Sequence, residues 1–180
     1  QQYEDSRRLE ITCGEAPYLV SRYDVSTGEL IVPPLRRIGI LDRKLRIVNE
    51  NTDTYEEWLK WAVRAFEASY GYEYQGDNVL IARINLLLTF TDYYEERWER
   101  HPDDKLLQQM ANKIAWNIWQ MDGLKDTVPL GKPYEEFRQI TLFDMFGDTQ
   151  DDEDEPEAVP CRIYNWRSKT SMKFMDLKEI

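Results

Sequence analysis

The succession strand, helix, strand, helix, helix, strand predicts an α/β domain whose mostly parallel sheet is flanked by helices. Three features carry that expectation. The run RLEITC at 8–13 is short, apolar and cut off by Gly14, as a buried strand entering a turn would be. Two segments, near 55–70 and 78–100, place apolar residues at helical spacing, with the strand-like YGYEY between them. A last apolar run, IAWNIWQM, closes on Asp122 and Gly123.

The elements follow in order. Residues 22–51 are punctuated by Ser26-Thr27-Gly28 and Pro33-Pro34, which suggests a hairpin or an irregular excursion. Thr52 or Thr54 caps the helix that follows, and Glu56 and Glu57 occupy its first turn, where negative charge suits the helix dipole. Trp58, Trp61, Ala62, Ala65 and Phe66 mark the face that helix buries, and Gly71 is expected to end it. Residues 70–78 read as a short strand and turn. From Asn78 to about Arg100 the helix is apolar nearly all round in its first half, which predicts a place beneath other layers. His101-Pro102 stops it. Asp103 or Asp104 caps the next helix, whose stripe is Leu106, Leu107, Met110, Ala111 and Ile114. A strand from about Trp116 and a hairpin turning at Ser168-Lys169 complete the pattern.

Composition narrows the function classes. Hydrophobic content of 42% with 32% charged residues suits one globular domain with a genuine core. No apolar stretch approaches the roughly 20 residues that span a bilayer, since NVLIARINLLLTF is interrupted by Arg83 and Asn85. The start, Gln1 to Asp5, is no signal peptide and has no initiator methionine, so the chain reads as a piece of a longer protein. Cys13 and Cys161 form no metal spacing and suit unpaired thiols in a reducing, cytoplasmic compartment. The net charge of −11, from 34 acids and 23 bases, is concentrated in DTQDDEDEPE at 148–157, expected as a disordered acidic loop. Such a surface repels nucleic acid, so a chain of this kind acting on DNA would take its grip from a missing remainder or another subunit.

In open α/β sheets, ligands bind beyond the carboxyl ends of the strands. Here those ends hold Cys13-Gly14, Glu73 and Asp122. A glycine turn lets backbone amides approach a ligand with no side chain in the way. A carboxylate after the second strand can accept both hydroxyls of a ribose, and one after the third can accept from an exocyclic amine. Singly, each has a plain structural reading as a turn, a surface acid or a cap. Together and in order they outline a nucleoside-shaped cleft.

The wording of these segments resembles that of the adenine-specific DNA methyltransferases of restriction–modification systems. LEITCGEAPYL, from Glu10 through Tyr18, resembles their first motif; YGYEYQGDNVLIARINLLL resembles the second, and NIWQMDGL the third. RIGILDRKLR and WNIWQMDGLKDTVPLG extend the resemblance over most of the chain. It implies a partial Rossmann-like class I methyltransferase fold and S-adenosylmethionine as cofactor. Cys13, Gly14, Glu15 and Ala16 would line the amino-acid end of that cofactor, Glu73 would hold the ribose and Asp122 the adenine, with Asp176 as a fallback for the third acid. Ala16 stands where the family has a second glycine, and its methyl group is expected to narrow the approach. The catalytic Asn/Asp-Pro-Pro-Tyr/Phe tetrapeptide is missing: the nearest sequences are VPPL at 32–35 and VPLG at 128–131. The resemblance therefore implies the cofactor-binding portion of a methylase, with no catalytic residue of its own and with DNA, and a specificity or restriction subunit, as partners.

The remaining features carry less. RRIGILDRKLR at 36–46, with five bases and one acid, is expected to be a solvated face before it is a phosphate strip. PYEEFRQITLFDMFG at 133–147 is amphipathic and suits either docking or packing on this domain. His101 precedes a proline at a helix end, and no Ser/His/Asp set or metal-ligand cluster stands out. Two rival readings remain: a methylase-like subunit kept for assembly alone, and a metal-dependent nuclease using Glu73 and Asp77, which lacks a lysine at the spacing such sites use.

Overall fold

β1 (Arg8–Ile11), β2 (Ser69–Glu73) and β3 (Ile118–Gln120) form a parallel sheet in the order β1-β2-β3. The register pairs Leu9 with Tyr70 and Gly71 with Ile118. The computed structural model describes residues 3–130 and 158–177. The amphipathic segment at 133–147 and the acidic run at 148–157 lie outside them.

Two helices fill each crossover: α1 (Ile40–Asn51) and α2 (Tyr55–Glu67) join β1 to β2, and α3 (Gly76–Trp98) and α4 (Asp104–Asn117) join β2 to β3. Crossovers of one hand that step the same way lay their helices on one face of the sheet. The larger core has that composition: Leu41, Leu45, Trp58, Phe66, Leu86, Phe90, Met110 and Ile118 are buried in it together with Cys13 and Ala16. The opposite face is covered by an antiparallel hairpin, β4 (Arg162–Asn165) and β5 (Thr170–Lys173), which turns where the sequence places it. Tyr70, Tyr72, Trp119 and Met121 bury against its Cys161, Ile163 and Phe174. Tyr70 Oη donates to Tyr164 O at 3.0 Å, fixing the hairpin along the strands.

The caps act as the sequence suggests. The Thr54 side chain accepts from Glu57 N–H at 3.3 Å, and Asp103 accepts from Leu106 N–H at 2.8 Å. Helix α2 stops at Glu67, however, so Gly71 is not its terminator. Gly71 sits inside β2, where a β-carbon would approach Cys13 Cβ at 2.9 Å and Sγ at 3.1 Å. The glycine is there so that the loop after β1 can lie against the sheet.

Four further expectations are corrected. β1 is an edge strand, and all but its half-buried Glu10 are exposed. The excursion at 22–51 contains one bridge, Tyr23 to Leu30, then a short 3-10 turn and the whole of α1, which its glycine and proline punctuation concealed. Helix α3 packs beneath other layers on one side only, because Leu80, Ile84 and Leu88 recur every fourth residue on its outer face and are exposed. RRIGILDRKLR is no solvated face: Arg37, Asp42 and Lys44 are buried. Lys44 Nζ donates to Ser6 O at 2.7 Å, holding the chain that enters β1.

The buried arginines share one counterion. Arg22 Nη1 and Arg37 Nη1 reach the same Asp92 Oδ2 at 2.5 and 2.6 Å, tying the excursion to α3. Removing one partner of a buried ionic group costs about 3–5 kcal/mol because it strands uncompensated charge. Asp92→Ala, which strands two guanidiniums, is expected to lower stability by at least about that amount, measured as a shift in the urea midpoint.

Candidate functional site

The carboxyl ends of β1, β2 and β3 lie side by side, and each delivers one residue of the expected rim. The chain leaves β1 through Thr12 and returns to the sheet where Cys13 N–H donates to Tyr72 O at 2.8 Å. A tight turn follows, closed by Ala16 N–H on Cys13 O at 2.7 Å and clamped by Asn85 of α3, whose Nδ2 donates to Glu15 O at 3.0 Å. Gly14 sits in it at φ +51°, a left-handed conformation that L side chains resist. Space beyond it is open: a β-carbon there would meet nothing within 4 Å.

Glu73 ends β2 and is 7% exposed. Its two oxygens are engaged separately, Oε2 by Gly14 N–H at 3.0 Å and Oε1 by Gln75 N–H at 3.1 Å. One carboxylate thus joins the loop after β1 to the turn that begins α3. An ionised carboxylate offers about four lone-pair positions, so acceptor capacity remains after these two bonds. The adjoining strand is held in step by Met121 N–H on Glu73 O at 3.0 Å.

Asp122 follows β3 and is half-buried. Its Oδ1 accepts from Leu124 N–H at 3.0 Å and from Lys125 N–H at 3.3 Å, and its own N–H donates to Thr127 O at 2.9 Å. It shapes the turn and still presents a carboxylate at the rim. Gly14, Glu73 and Asp122 are therefore successive along one edge of the molecule, the first two in direct contact.

The other expected lining residues differ. Cys13 turns its thiol inward, 1% exposed, and burial pushes that thiol up to about 12, helped by the nearby charges of Glu10 and Glu73. Only its main chain can face a ligand. Glu15 is exposed. Ala16 has φ +64° and is fully buried among core residues, so its methyl group points into the protein and does not narrow the approach above the turn. Asp176 lies in the 3-10 turn after β5, and Asp77 is an exposed residue in the first turn of α3. Among the described residues no group of three or more His, Cys, Asp or Glu side chains is placed to hold a metal ion, and both cysteines are free. No helix among them is long and apolar enough to cross a membrane.

One residue beside the rim carried no expected role. Glu10 faces inward from β1, and both its carboxylate oxygens are buried without a hydrogen-bond partner. Burial pushes it up to about 7; the main chain of Leu19 and Tyr18 offsets part of that rise, although neither completes a hydrogen bond. The alternation of β1 points the other way, since it puts Glu10 with Arg8 opposite the apolar Leu9 and Ile11, and no sequence signal marks its carboxylate as buried. Comparison with protein-family models, with curated proteins and with solved structures finds no match for this chain.

Glu10 at about 7 and Asp42, which burial raises to about 6, both bind protons more tightly folded than unfolded. Their contribution to stability is complete below the ordinary carboxylate range and is lost as pH rises through about 7. Denaturant midpoints should therefore fall between pH 4.5 and pH 7.5 more steeply in the wild type than in Glu10→Gln. Gly14→Ala should cost about 1 kcal/mol through its left-handed backbone, with no steric clash.

Proposed function

We propose that this rim binds the nucleoside end of S-adenosylmethionine, and that the chain is the cofactor-binding portion of an adenine-specific DNA methyltransferase with a partial Rossmann-like class I fold. The observation that supports it is the contact between Gly14 N–H and Glu73 Oε2 at 3.0 Å at the carboxyl ends of neighbouring parallel strands, with Asp122 on the third. The residues fit the group: the glycine turn is open above its backbone, the Ala16 methyl is turned away, and Glu73 keeps lone pairs for a diol. Gly14 and Glu15 would present main chain to the amino-acid end, Glu73 would accept from the ribose and Asp122 from the adenine amine. When bound, that cofactor supplies an electrophilic methyl group. The Asn/Asp-Pro-Pro-Tyr/Phe tetrapeptide that would hold a flipped adenine is not in these 180 residues, so DNA and the catalytic groups belong to a remainder or another subunit.

A second reading draws on one observation. Both Glu73 oxygens already hold backbone amides, as they would in a methylase-like subunit whose rim is only structural and whose role is assembly.

Titration calorimetry separates the two. S-adenosylmethionine is expected to bind the folded chain. Glu73→Ala should abolish that binding, and Asp122→Asn should weaken it by about 1–3 kcal/mol, the cost of a lost hydrogen bond to a buried group. No heat from a chain with an intact circular dichroism spectrum would favour the assembly subunit.

A further inference from the structure

Open α/β sheets that bind nucleotides place phosphate at the turn after the first strand, on main-chain amides and the N-terminus of a helix that starts there. Here neither is on offer. Cys13 N–H is given to Tyr72 O at 2.8 Å, Gly14 N–H to Glu73 Oε2 at 3.0 Å and Ala16 N–H to Cys13 O at 2.7 Å. Pro17 has no amide to add. That leaves Glu15 N–H as the one amide of the turn with no acceptor among the described residues, and a phosphate nest needs several. The first helix, α1, begins only at Ile40, far along the chain from Gly14.

The charge at the turn has the same consequence. Glu73 Oε2 lies directly behind the Gly14 amide, in a residue 7% exposed, so solvent screens it poorly. Glu15, exposed in the turn itself, adds a second carboxylate, and Asp122 a third at the end of β3. Residues 131–157, outside the described part, carry ten acids and two bases, so the charge they contribute has the same sign. A dianionic phosphate on this turn would meet one amide donor and two carboxylates. A cation in the same place would be attracted by both.

We propose that the Gly14 turn selects nucleosides carrying a cationic group at the 5′ position and rejects those carrying a 5′-phosphate, with Glu15 and Glu73 setting that preference. This rests on the S-adenosylmethionine reading of the rim, in which the ribose lies on Glu73 and its 5′ side on Gly14 and Glu15. It adds a class of ligand that the rim excludes: nucleotides and dinucleotides, although the space above the glycine would give them room. Glu73 is tied to two amides, whereas the clamp from Asn85 reaches Glu15 through its main-chain oxygen. The Glu15 carboxylate is therefore the part of this preference that can be changed without breaking the turn.

The test compares adenosine, adenosine 5′-monophosphate and 5′-amino-5′-deoxyadenosine by titration calorimetry on the full chain, at neutral pH, where the amine is charged. These ligands differ only at the 5′ carbon. The amine is expected to bind tightest, and the monophosphate at least about tenfold more weakly than adenosine. Added salt should narrow that gap. Glu15→Lys should close it by about tenfold, and Glu15→Asp, which keeps the charge, should preserve it. Because the ratio of affinities is read, a general loss of binding does not imitate the effect. Monophosphate bound as tightly as adenosine would overturn the proposal while leaving the nucleoside reading standing. A gap that Glu15→Lys leaves unchanged would overturn it too, since the rejection would then not come from the charge of the turn. If none of the three binds a chain with an intact circular dichroism spectrum, the nucleoside reading falls and this proposal with it.

Discussion

The arrangement of this molecule depends on one buried carboxylate holding two backbone amides that belong to different strand ends. Glu73 receives Gly14 N–H on one oxygen and Gln75 N–H on the other, at 3.0 and 3.1 Å. Burying a charge is tolerable only when donors replace the lost water, and here both donors come from main chain. The turn after β1 and the start of α3 are therefore fixed with respect to each other. The Asn85 clamp on Glu15 O and the passage of Cys13 over Gly71 follow from the same placement. Without that bridge the turn at Gly14 would keep its bonds to Tyr72, within itself and to Asn85, but none to the start of α3 through Glu73.

Buried polar groups in the domain are compensated to different degrees. Lys44 has carbonyl acceptors, and Arg22 and Arg37 share Asp92, although Arg22 Nε and Asp42 Oδ1 are buried without a hydrogen-bond partner. Glu10 has no such partner and sits on the first strand next to the rim. An unmade hydrogen bond inside a protein costs more than a made one contributes. Burial raises Glu10 to about 7, so the stability of the fold depends on pH through that carboxyl.

Much of this was readable in the sequence wherever the signal was local. Thr54 and Asp103 cap because their side chains reach amides three residues on, and the β4–β5 hairpin turns where Ser168-Lys169 interrupts the alternation. The rim was readable for a similar reason: strand termini in parallel sheets are marked by small and acidic residues, and Gly14, Glu73 and Asp122 all fell at such termini. What depended on long-range partners was not readable. Arg37 and Lys44 look like surface bases until Asp92 and Ser6 O are brought to them from 55 and 38 residues away. Helix α1 was hidden by the punctuation before it. The inward turn of Ala16 is set by a positive φ that composition does not signal. The exposure of β1 depends on which strands pair beside it, a fact of topology and not of its own residues.

The central claim is that a nucleoside is held where Gly14, Glu73 and Asp122 meet the solvent. Amide chemical shifts recorded while adenosine is titrated into the labelled protein test it most directly, because the amides of Gly14, Gln75 and Leu124 already bond the two carboxylates concerned. Saturable shifts concentrated at those three residues are the expected result. Shifts that are absent, or that gather on the hairpin or the outer face of α3, would contradict it.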